Sequence, residues 1–99
     1  MWVKVAVTSE FKDGQCKVVT ANGKELALFK AEGAFYAMDN ACPHRGGPLG
    51  EGHLEGSQVT CPWHAWTFDV KTGACDMDPV MKQTTFPVKI IGNDVLVDA

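Results

Sequence analysis

Two short boxes, Cys42-Pro43-His44 and Cys61-Pro62-Trp63-His64, separated by sixteen residues, constrain this chain more than anything else in it. Each box offers one soft thiolate and one imidazole. In an extended loop, residues two apart point the same way, with alpha carbons roughly 6–7 Å apart. One such loop can therefore reach two adjacent metal ions rather than chelate a single one. Two matching loops can then clamp a binuclear group from opposite sides. Pro43, Pro48 and Pro62 restrict φ along the loops, while Gly46, Gly47 and Gly50 let the backbone come close. Backbone N–H groups left free by such loops can donate to sulfur and tune what is bound.

Two donor chemistries fit these boxes. A 2Fe–2S cluster can take two sulfurs on one iron and two imidazole nitrogens on the other. A structural zinc module of Cys2His2 type uses the same residue types. Zinc sites usually open with a Cys pair and close with a His pair, however. Here each box mixes Cys with His, which favours iron–sulfur and leaves zinc as the alternative.

Taken together, CPHRGGPL (42–49), CPWHAWTFDVKTG (61–73) and the ending PVKIIGNDVLV (87–97) resemble the Rieske ferredoxin family over nearly the whole chain. The resemblance implies one cluster per chain, with Cys42 and Cys61 on the inner iron and His44 and His64 on the outer. It also implies an all-β fold, an antiparallel sandwich or barrel. Residues 1–99 would form one domain, with a small cluster-binding subdomain inserted at approximately 39–70. Pro79 stands where the family has a proline loop covering the cluster. High-potential members carry an extra Cys in each box, joined by a disulfide, and a Ser hydroxyl near a sulfide. The matching positions here are Gly47 and Trp63, and Ala65-Trp66 follows His64. With fewer groups to stabilise an added electron, the potential is expected near the low end of the Rieske range, about −150 mV.

The 99 residues make one domain with a modest core, to which a bound cluster would add stability. No apolar run approaches the roughly 18–20 residues that span a bilayer. The start, MWVKVAVTSEFKDG, has no long apolar segment with a cleavage site. A cytoplasmic protein is expected. Cys16 and Cys75, outside the boxes, are then expected to be free, buried thiols rather than a disulfide. The net charge of −3 comes without a Lys/Arg cluster and argues against nucleic acid. Residues 42–49 contain one charge, Arg45, and residues 61–66 contain none. Glu51, Glu55, Asp69, Asp76 and Asp78 either ring the tip or form a solvated rim.

Short apolar runs with turn signals predict strands at 3–7, 16–20, 25–29, 34–38, 58–60, 66–70, 86–91 and 94–97. Asn22-Gly23 is a strong hairpin signal. Residues 9–12 make a short turn at most, and no helix is expected. His53 reads as a surface residue, and Trp66 as packing over the second box.

With two ferric ions, two sulfides and two thiolates, the oxidised core is neutral, and one electron makes it −1. That charge favours protonation of the distal imidazole nitrogens, so the potential is expected to fall where those histidines deprotonate. No substrate pocket or nucleophile is evident, so the chain reads as a carrier rather than an enzyme. The resemblance implies a flavin-dependent reductase and a terminal oxygenase of the aromatic ring-hydroxylating type as partners. The alternative is the small subunit of an NAD(P)H-dependent nitrite reductase, working with its large subunit.

Overall fold

The computed structural model describes residues 1–42, 46–63, 65–76 and 80–99. Among them are ten strands, two short 3-10 turns and no α-helix. The strands are β1 (Trp2–Val7), β2 (Gln15–Ala21), β3 (Lys24–Ala31), β4 (Ala34–Asp39), β5 (His53–Glu55), β6 (Gln58–Thr60), β7 (Thr67–Asp69), β8 (Thr85–Phe86), β9 (Val88–Ile91) and β10 (Asp94–Asp98). They form three antiparallel sheets, ordered β1-β10-β9, β2-β3-β4-β8 and β5-β6-β7.

The organising strand is β3. Its sequence places apolar side chains on both faces, as expected of a strand covered on both sides. Leu26 and Leu28 pack with Ala37, Val95 and Val97 against the β1-β10-β9 sheet. Ala27, Phe29 and Ala31 face the other way, onto Leu49, Leu54, Val59, Phe68 and Val70 from the region around the third sheet. The central sheet thus separates two cores. One supports the base, and the other also contains Cys42, Cys61 and Cys75.

Local chemistry sets the central meander. Asn22 and Gly23 sit at φ 52° and 79°, left-handed at both turn positions as a two-residue hairpin requires. The register follows directly, with Ala21 opposite Lys24 and Cys16 opposite Phe29.

Two expectations need correction. The run 86–91 is not one strand. Pro87 has no N–H to give a ladder, and the chain changes sheets there. β8 pairs with β4 through Ala37–Phe86, whereas β9 pairs with β10. A strand not expected from the sequence, β5, pairs His53 with Thr60 and Glu55 with Gln58. Among the described residues no helix is long and apolar enough to cross a membrane.

Candidate metal centre

Cys42 leaves β4 three residues after its end, and Cys61 follows β6 directly. Both are almost fully buried, at 2% and 1% exposure. His44 and His64 lie outside the described residues, as do Arg45, Asp78 and Pro79. The structure therefore brings the two cysteines together and does not bear on the imidazoles. Among the described residues no group of three or more metal-ligating side chains occurs.

The two cysteine loops are closed in the same way. The N–H of Cys42 donates to the carbonyl of Gly47 at 2.9 Å, and the N–H of Cys61 donates to that of Trp66 at 2.7 Å. Each bond spans five residues. The fourth residue after each cysteine is left-handed, Gly46 at φ 77° and Ala65 at φ 57°. Two unequal boxes thus reach one backbone solution.

The sulfurs converge. The thiols of Cys42 and Cys61 share a hydrogen bond, and no disulfide joins them. Burial holds the Cys61 thiol above its ordinary value; the Cys42 thiol beside it adds to the rise, while the N–H of Trp63, donating to the sulfur, opposes it. An electropositive group placed between two such thiols would remove both protons on binding. The wall is tight. A Cβ added to Gly47 would lie 2.7 Å from the Sγ of Cys61 and 2.9 Å from the Cγ of Trp63. Two unbridged, buried sulfurs beside a bare backbone fit a cluster that takes one thiolate from each loop.

Trp66 is half-buried and packs on the site-side core, as expected, whereas Trp63 is 50% exposed. Of the acids near the site, Asp69 accepts the Lys71 N–H, and Asp76 accepts from Gln58 and Thr67. These two brace the structure. His53 is exposed and lies 2.9 Å from Glu55. Cys16 and Cys75 are free cysteines, and the Cys16 thiol donates to the Gly52 carbonyl at 3.3 Å.

Among the described residues, Asn40 and Gln83 are the buried polar residues that sequence reasoning missed, with 8% and 5% exposure. Asn40 accepts the Gly50 N–H on its Oδ1 at 2.8 Å and the Leu49 N–H on its carbonyl at 2.8 Å. It thereby pulls the two ends of the first loop together. Gln83 lies far along the chain, and nothing in its local sequence marks it.

The profile of the Rieske [2Fe-2S] domain matches residues 1–92. The chain belongs to the Rieske [2Fe-2S] family. It is 42% identical to the ferredoxin component of a naphthalene 1,2-dioxygenase system from Pseudomonas aeruginosa, over 98% of this chain and 94% of that one. The ferredoxin of carbazole 1,9a-dioxygenase from Nocardioides aromaticivorans IC177 superposes with a TM-score of 0.90 at 29% identity, covering 98% and 96% of the two chains. A complex of reduced oxygenase and oxidized ferredoxin in carbazole 1,9a-dioxygenase matches with a TM-score of 0.89 at 31% identity, over 97% and 91%. Family membership confirms the all-β Rieske fold and the [2Fe–2S] cofactor, and sets the zinc module aside.

Proposed function

We propose that this chain is a one-electron carrier of an oxygenase system, taking electrons from a flavin-dependent reductase and delivering them to a terminal oxygenase of the ring-hydroxylating type. In this reading Cys42 and Cys61 hold one iron of the cluster and His44 and His64 the other. The observation that carries it is the meeting of two buried, unbridged thiols on loops closed by the same bond. When bound, the cluster supplies a one-electron redox couple.

The chain's own residues do the rest. Cys42 and Cys61 bind from within the core. Gly47 keeps a Cβ out of the space beside the sulfur, and the Trp63 N–H steadies the thiolate. Leu49, Val59 and Phe68 keep water from the sulfur side. The exposed indole of Trp63 gives the tip an apolar surface suited to brief docking, of the kind that buries less than about 1,200 Å². Residues 39–70 serve as the cluster-binding subdomain of the single domain 1–99. The unpaired cysteines suit the reducing cytoplasm. Relatives named as dioxygenase ferredoxins support this reading over the nitrite reductase subunit.

Iron and sulfide analysis with EPR of the reduced protein tests the centre, and reconstitution with a reductase and an oxygenase tests the role. Two irons and two sulfides per chain, lost in His44→Ala and His64→Ala, are expected. A full complement of cluster in either variant, or no electron delivery to any ring-hydroxylating oxygenase, would overturn the proposal.

A further inference from the structure

The two cysteine loops share a closing bond but differ in what holds the residue before each cysteine. Thr60, before Cys61, is paired on both sides, with His53 and with Thr67. Ala41, before Cys42, has an isolated bridge to Pro48, which has no N–H to donate. A side chain takes the place of the missing ladder.

The Nε2 of Gln83 donates to the Asp39 carbonyl at 2.9 Å and to the Ala41 carbonyl at 2.7 Å. Its Oε1 accepts the Thr84 N–H at 2.9 Å, which fixes the orientation of the amide. Turned over, the amide oxygen would face two carbonyl oxygens. The backbone N–H of Gln83 donates to the Gly73 carbonyl at 2.8 Å, and Gly73 in turn donates to Asp69 at the end of β7. One residue thus links the strand leaving the second loop to the peptide that carries Cys42. That peptide is held at its carbonyl by Gln83 and at its N–H by Gly47.

We infer that Gln83 is a positioning residue for the cluster, setting the first cysteine loop against the second. The inference rests on the reading that Cys42 and Cys61 hold iron. Groups that orient metal ligands are typically worth 10–100-fold in metal affinity.

The test uses the loaded protein and three variants. Gln83→Met keeps the length and loses the hydrogen bonds. Gln83→Glu keeps the shape and turns a carboxylate onto two carbonyls. Val95→Ala opens the distant core, where Val95 is fully buried. Cluster release is followed by loss of visible absorbance, the midpoint by voltammetry and the centre by EPR. Release at least about ten-fold faster is expected for Gln83→Met, and faster still for Gln83→Glu, each with a shifted midpoint. Val95→Ala should lower the melting temperature and leave midpoint and EPR unchanged. Gln83 variants with wild-type release and midpoint overturn the assignment. So does a Val95→Ala variant that shifts the midpoint as they do, because general loosening then suffices. If the wild-type protein binds no iron, the underlying reading falls as well.

Discussion

The Cβ that Gly47 lacks would lie 2.7 Å from the Sγ of Cys61, a separation that real Cβ atoms do not adopt. Two loops distant in sequence meet closely enough that one methyl group matters. Gly47→Ala is therefore expected to push the loops apart. Overpacking of this kind costs about 1–3 kcal/mol. The purified variant should contain clearly less iron than wild type and melt lower. Full iron content at an unchanged melting temperature would contradict this.

Gly46 and Ala65 hold matching left-handed positions, and they predict opposite effects. A left-handed non-glycine residue costs about 1–2 kcal/mol, partly offset in Ala65→Gly by the looser unfolded chain. Ala65→Gly should raise the melting temperature of the loaded protein by a few degrees. Nothing lies within 4 Å of a Cβ added to Gly46, so Gly46→Ala should lower stability by about 1 kcal/mol through backbone strain alone. On a domain of this size that is about 4–8 °C. Calorimetry of the pair checks the signs.

Positions 47 and 63 touch across the loops, yet they hold glycine and tryptophan, so no covalent bridge joins the loops there. With no bridge between the loops and no hydroxyl at position 65, fewer groups stabilise the added electron, and a midpoint of about −150 mV is expected. A clearly positive value in voltammetry would refute it.

Burial raises the Cys16 thiol above its ordinary value of 9.0. The neutral thiol is thus favoured in the folded state. Its contribution to stability is full below pH 9.0 and declines as pH rises from there through the raised folded value, because the unfolded chain gives up the proton first. Denaturant midpoints should fall as pH rises above 9.0 in wild type, and fall less steeply in Cys16→Ser. Parallel curves would refute this.

Removing the cluster should release the ligation energy that exists only in the folded state. The iron-free protein is expected to melt at a lower temperature, and an equal melting temperature would refute this. Refolding with iron and sulfide should restore it.

Local chemistry determined a good deal. The boxes pointed to an iron–sulfur group, because Cys and His at short spacing carry their chemistry with them. Asn22-Gly23 located a hairpin, since its left-handed φ values are intrinsic to those residues. Short apolar runs bounded by turn signals located β1, β2, β3 and β4. β5 escaped because three residues between glycines carry too little pattern. Pro87 shows the other limit. It was readable as a break, but which sheet each side would join depends on partners far away in sequence. The supports of Cys42 were hidden for the same reason. Gln83 reaches carbonyls more than forty residues away, and a glutamine's local sequence says nothing of that. Residue chemistry is local and can be read along the chain, whereas the meeting of Cys42, Gly47, Cys61 and Gln83 arises only when separate sheets pack.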